Sequence, residues 1–121
     1  MFRAITFISI FILIACHPSS KLKKVANSPM QNNDELERIG SNLIKTNDCF
    51  TCHSYEQRLV GPTFLAISEK YNEVSVDMLS QKIIKGGSGH WGTLPMTPHP
   101  KLSKTDAEVI VLYILSLKTR K

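Results

Sequence analysis

The five residues Cys49-Phe50-Thr51-Cys52-His53 set the terms for the 121-residue chain around them. Two cysteines separated by two residues, with a histidine directly after the second, match the spacing of a c-type haem attachment. Each thiol adds across one vinyl group of the porphyrin, and the histidine presents its imidazole to the iron from the same face. Three blander readings compete: a thioredoxin-like redox pair, half a zinc site, and chance. A redox pair calls for a βαβ context, and no alternation of strand and helix patterns is visible. A Cys/His zinc site takes four ligands, and the third cysteine, Cys16, lies in a different kind of segment.

Immediately upstream, residues 34–46 read as a helix. Leu36, Ile39, Gly40, Leu43 and Ile44 recur at i, i+3, i+4, i+7 and i+8, which makes one apolar face. Asp34, Glu35 and Glu37 sit in the first turn, where acidic side chains suit the helix dipole. Gly40 costs about 1 kcal/mol against alanine inside a helix. Its place in the apolar face points to close approach by another helix.

Further back, residues 16–33 read as a flexible linker, with Pro18, Ser19, Ser20, Asn27, Ser28, Pro29, Asn32 and Asn33 and no sustained apolar period. Residues 1–15 read as an export signal. Arg3 gives a positive start, and the apolar run 5–15 is shorter than the about 20 residues a spanning helix needs. Leu13-Ile14-Ala15-Cys16 resembles the lipobox of bacterial lipoprotein signals. That resemblance implies cleavage after Ala15 and a lipid on Cys16. An ordinary secretory signal or an uncleaved anchor are the other readings, and all three export the domain. The cysteines then divide as one for lipid and two for haem, with none left for a disulfide.

The net charge of +5 is not a nucleic-acid signature. Arg3, Lys21, Lys23 and Lys24 precede Asp34, leaving 11 basic against 10 acidic residues in the rest. No basic stripe interleaved with aromatics appears, so no nucleic-acid partner is expected.

Downstream of the motif, residues 55–60 read as a loop. Pro62 can open a short helix with Phe64, Ile67 and Tyr71 on its inner face. A further helix is predicted over 75–85, with Ser75 as N-cap, Val76, Leu79, Ile83 and Ile84 inside, and Gly86-Gly87 as its stop. The last helix starts at the N-cap Ser103, with Asp106 three residues on in a variant of the capping box. Its run 109–117 is apolar nearly all round, so it is deeply packed or covers a large cofactor. Lys118, Arg120 and Lys121 finish it with the favourable charge sign. No convincing alternating strand is found, and the fold class is all-α with about four helices in one small domain, 34–121.

Between the third and fourth helices runs Gly86-Gly87-Ser88-Gly89-His90-Trp91-Gly92-Thr93-Leu94-Pro95-Met96-Thr97-Pro98-His99-Pro100. So much glycine and proline argues against regular structure, and a long ordered loop in a small domain usually has a task. Pro95 and Pro98 hold Met96 in stiff extended backbone. A lone methionine more often fills a core. The haem motif turns this one into a second axial ligand, since a thioether stabilises ferrous iron and raises the potential. The rivals are His90 and His99, which flank the loop, Met78 in a helical pattern, and Met30 in the linker.

From about residue 34 to 117 the chain resembles the small bacterial class I monohaem cytochromes c. The resemblance rests on Cys49-Phe50-Thr51-Cys52-His53, Leu59-Val60-Gly61-Pro62, Lys85-Gly86-Gly87-Ser88-Gly89-His90-Trp91-Gly92, Pro95-Met96-Thr97-Pro98 and Tyr113-Ile114-Leu115-Ser116-Leu117. It implies a cytochrome c fold around one covalent haem c, with iron ligated by His53 and Met96. It further implies that Gly40 meets the last helix near Tyr113. The Pro62 carbonyl would accept a hydrogen bond from the His53 ring, and the Trp91 indole would reach a haem propionate. The lipobox and linker depart from the short soluble members of that family.

A six-coordinate iron leaves no open position for substrate, so the expected task is one-electron transfer rather than catalysis. The expected protein is a membrane-anchored monomer facing the periplasm or cell exterior. Its expected partners are a quinol-oxidising complex and a terminal oxidase or reductase, docking weakly at the haem edge. Two other classes remain: a haem ligand-binding sensor or peroxidase-like protein, and an electron-entry subunit of a larger oxidoreductase.

Overall fold

The computed structural model describes residues 33–120. The expected signal over 1–15, the lipid attachment point Cys16 and nearly all of the linker 16–33, with Met30, lie outside these residues. Four α-helices are present among them: α1, Asn33–Thr46; α2, Phe64–Lys70; α3, Val76–Lys85; and α4, Lys104–Ser116. Short 3-10 turns cover Cys49–Thr51, Glu73–Ser75 and Leu117–Arg120. None of the described helices is long and apolar enough to cross a membrane.

Helix α4 is the centre of the packing and touches α1, α2 and α3. Isolated helices this short are marginal in water, so their stability comes from the shared core. Ala107, Ile110, Val111, Tyr113 and Ile114 of α4 are buried, joined by Ile44 of α1, Phe64 of α2, Ile83 of α3 and Leu102. The all-round apolar run therefore does face neighbours on several sides. At Gly40 a Cβ would stand 2.3 Å from the Tyr113 Cβ, so only a glycine lets α1 come this close to α4.

The helix starts follow local chemistry, with two departures from the sequence reading. Ser103 caps α4 as expected: its hydroxyl accepts from the Asp106 N–H at 3.0 Å and donates to the Asp106 carboxylate at 2.7 Å. Pro62 does not open α2. Thr63, extended at φ −68° and ψ 153°, is the cap, and its hydroxyl accepts from the Ala66 N–H at 3.0 Å. Ser75 stands at the N-cap of α3, yet its hydroxyl caps nothing. It closes the preceding 3-10 turn with helical backbone (φ −86°, ψ −1°), whereas a capping hydroxyl needs extended backbone. At the far end α4 stops at Ser116, and Lys118 lies in a 3-10 turn rather than in the helix.

The glycine-rich stretch is regular after all. Strands β1, Gly87–Gly89, and β2, Gly92–Met96, form an antiparallel hairpin with His90 and Trp91 at its tip. Gly89 pairs with Gly92 and Gly87 with Met96, with a shift of register between them. The fold is thus helical with one small hairpin. Gly86, at φ +69°, turns the chain from α3 into β1, where a Cβ would meet the Met96 carbonyl at 2.5 Å. That contact seats Met96 against the end of α3.

Candidate functional site

The turn Cys49–Thr51 folds the motif back on itself. The Cys52 and His53 N–H groups both donate to the Cys49 carbonyl, at 3.3 and 3.0 Å. This brings Cys49, Cys52 and His53 to the wall of a cavity of about 1020 Å³. Pro62, Trp91 and Met96 line the same cavity, so the six residues expected around the haem meet there, while Cys16 lies outside the described residues. Phe64, Ile67, Leu79, Ile83, Ile110, Val111 and Ile114 make much of the remainder apolar.

His53 is the most constrained of these side chains. It is buried, and its Nδ1 lies 2.7 Å from the Pro62 carbonyl oxygen. A carbonyl only accepts, so Nδ1 carries the proton and donates. The neutral ring then has its lone pair on Nε2, the donor atom a metal requires. Phe64 stacks on the ring at 5.5 Å with planes 19° apart. Gly61 lies against it as well, since a Cβ there would be 2.4 Å from His53 Cε1. The Gly61 N–H bond to the Cys52 carbonyl, 2.8 Å, and the Phe64 N–H bond to the Ser54 carbonyl, 2.9 Å, tie both neighbours to the motif.

The two thiols are free and half-buried. Burial pushes the Cys49 thiol above its ordinary value. Met96 is half-buried at the end of β2 and packs against the core. Of its rivals, Met78 is 46% exposed on α3. His90 is exposed at the hairpin tip, edge-on to Tyr71 at 6.5 Å. His99 is half-buried, and its Nδ1 is buried with no hydrogen-bond partner among the described residues.

Two features escaped the sequence reading. The hairpin is latched by lysines: Lys82 of α3 donates to the Ser88 carbonyl at 2.7 Å, and Lys70 of α2 to the His90 carbonyl at 3.1 Å. The Lys70 ammonium also lies 4.3 Å from the centre of the Trp91 ring. Beside His53, Phe50, Tyr55 and Phe64 form an aromatic cluster, tied to α4 by a 2.9 Å bond between the Tyr55 and Tyr113 hydroxyls. The Lys70–His90 and Tyr55–Tyr113 contacts join residues far apart in the chain, and no local pattern announces them.

Two thiols, an imidazole with its outer nitrogen tied back, a nearby thioether and a roomy apolar wall are a donor set for haem. Among the described residues no group of three or more His, Cys, Asp or Glu could hold a bare metal ion. The cytochrome c family profile matches residues 37–118. The chain belongs to the cytochrome c family. It is 40% identical over 81 residues to cytochrome c-551 of Azotobacter vinelandii, covering 65% of this chain and 98% of that one. Cytochrome c-552 of Nitrosomonas europaea is 39% identical over 80 residues, covering 64% and 78%. The crystal structure of the wild-type Nitrosomonas europaea cytochrome superposes with a TM-score of 0.61 over 64% of this chain and 99% of that one. As a class I cytochrome c the chain carries one covalently attached haem c and is an electron carrier rather than an enzyme. The haem iron supplies a one-electron couple, ferric to ferrous and back.

Proposed function

We propose that this cytochrome c is a membrane-anchored carrier of single electrons between respiratory redox partners. In this reading Cys49 and Cys52 bear the haem, and His53 and Met96 are its axial ligands. The observation that carries it is the 2.7 Å bond between His53 Nδ1 and the Pro62 carbonyl. It leaves Nε2 as the free donor in a ring packed against Gly61 and Phe64. Met96, in extended backbone on the same cavity, supplies the soft second donor. With both axial positions filled, substrate has no place at the iron. The apolar walls from α3 and α4 keep water out and favour the less charged reduced state.

Pro62 orients the His53 ring, and the Trp91 indole, on the same cavity wall, would donate to a haem propionate. Cys16 carries the lipid, and residues 17–33 tether the domain, exported to the periplasm or cell exterior, at the membrane surface. A tether of this length, treated as a flexible chain, reaches very roughly 20–25 Å. The domain, a monomer, can then pivot between a quinol-oxidising complex and a terminal oxidase or reductase. Two experiments test the reading. Met96→Ala should abolish the weak far-red sulfur-to-iron band of the oxidised protein. Cys16→Ser should move the holoprotein from the detergent phase to the aqueous phase. A far-red band that survives Met96→Ala, or a Cys16→Ser protein still partitioning into detergent, would contradict the corresponding half.

A further inference from the structure

Trp91 is the one tryptophan of the chain, and it lines the cavity from the tip of the hairpin. The backbone there does little to fix a ring. Gly92, the next residue, stands at φ +124°, and a Cβ on it would meet nothing within 4 Å. Glycine backbone is conformationally permissive, so the placing of the indole must come from side-chain contacts.

The C-terminal end of α2 supplies those contacts. The Lys70 ammonium lies 4.3 Å from the centre of the Trp91 ring and donates to the adjacent His90 carbonyl at 3.1 Å. Tyr71 follows it and meets the Trp91 ring edge-on at 6.5 Å, with planes 60° apart. The Tyr71 N–H is bonded to the Ile67 carbonyl at 3.0 Å, which anchors this pair of residues to α2. One ammonium therefore holds both the face of the indole and the backbone that carries it. A lysine in the last turn of a helix has a blander explanation, the favourable sign of the helix dipole. That accounts for the charge, but not for its place over an aromatic face.

We infer that Lys70 is a positioning residue for Trp91, clamping the indole on the cavity wall and so keeping water from the haem. The inference rests on the reading in which Trp91 meets the haem. Burial is one of the protein's levers on a haem's reduction potential. A loosened indole admits water, which favours the more charged ferric state and lowers that potential. Arginine in place of Lys70 keeps both contacts, since guanidinium stacks on aromatic faces and donates hydrogen bonds. Methionine keeps much of the length and loses both.

The test uses the holoprotein and four variants, Lys70→Met, Lys70→Arg, Lys45→Met and Trp91→Phe. One tryptophan gives one indole N–H signal, so its exchange with solvent, followed by nuclear magnetic resonance on the reduced protein, reports on Trp91 alone. Exchange in Lys70→Met should be about tenfold faster, equivalent to about 1.4 kcal/mol of lost hold, and the reduction potential should fall. Lys70→Arg should bring both back to the parent values. Lys45→Met removes the same charge from an exposed position of α1 and should change neither. An unchanged exchange rate or an unmoved potential in Lys70→Met overturns the clamp, even if Tm falls, because a dipole role alone would lower Tm. An arginine variant that behaves like Lys70→Met, or a Lys45→Met protein that does so, overturns it as well. Trp91→Phe separates the two layers of the claim. If it leaves the potential unmoved, Trp91 does not meet the haem, and the inference falls with that reading. If it lowers the potential while Lys70→Met changes nothing, the clamp alone is wrong.

Discussion

Gly40→Ala is the sharpest structural test, because two opposing effects act on one methyl group. In an exposed helix interior the change stabilises by about 1 kcal/mol through helix propensity. Here the new Cβ would stand 2.3 Å from Tyr113 Cβ and 2.6 Å from Tyr113 Cγ. Comfortable carbon contacts begin at about 3.5 Å, so α1 and α4 must part by about 1 Å. The obstructing atom is fixed to the α4 backbone and cannot swing away. Overpacking costs about 1–3 kcal/mol, and this geometry belongs at the upper end. The net loss is then about 2 kcal/mol, after the propensity gain is subtracted. For a domain of this size that lowers Tm by about 8–16 °C. Thermal unfolding of the holoprotein, followed by far-ultraviolet circular dichroism, measures it. Asn42→Ala, at an exposed position of the same helix, is the control and should hold or gain a few tenths of a kcal/mol. A Gly40→Ala protein as stable as the parent would refute the close-packed crossing.

Three further outcomes follow from local geometry. Gly61→Ala places a Cβ 2.4 Å from His53 Cε1 and 2.8 Å from Nδ1, displacing the ring; the optical spectrum should show a high-spin fraction, and an unchanged spectrum contradicts the role of Gly61. Ser103→Ala removes the 3.0 Å cap on α4 and should cost about 1 kcal/mol, about 4–8 °C in Tm, whereas an unchanged Tm would mean the cap is idle. The Lys104 ammonium, 2.9 Å from Asp77, holds its carboxyl below the usual range. The folded chain therefore binds fewer protons there than the unfolded chain in acid, so this stabilisation is present above the unfolded value and is lost as pH falls through the folded one. Asp77→Asn should flatten the acid limb of the urea midpoint against pH, and an unaltered limb would show that the exposed pair is screened out.

The helices were legible because their signals are local. Leu36, Leu43 and Ile44 repeat at helical spacing, and Ser103 with Asp106 marks the start of α4 within four residues. That Cys49, Cys52, His53 and Met96 line one cavity was foreshadowed for the same reason, since the first three are adjacent and Met96 is framed by prolines. The hairpin was not. Its residues are exposed on both faces except for Met96, so no alternation of burial imprints the sequence. Its glycines take positive φ at Gly87, Gly89 and Gly92, which a sequence reading assigns to loops. Pro62 misled because proline suits both the first helical position and the residue before a cap. Its carbonyl, committed to His53, shows which applies. The lysine latches and the Tyr55–Tyr113 bond depend on contacts made only once the chain is folded.

The central claim is a closed, six-coordinate iron held between His53 and Met96. The most direct measurement is the optical spectrum of the purified holoprotein, oxidised, then reduced, then exposed to carbon monoxide. The account predicts a weak far-red band when oxidised, a sharp low-spin spectrum when reduced, and indifference to carbon monoxide. A high-spin spectrum or prompt carbon monoxide binding would contradict it, because an iron with an open position is not closed by Met96.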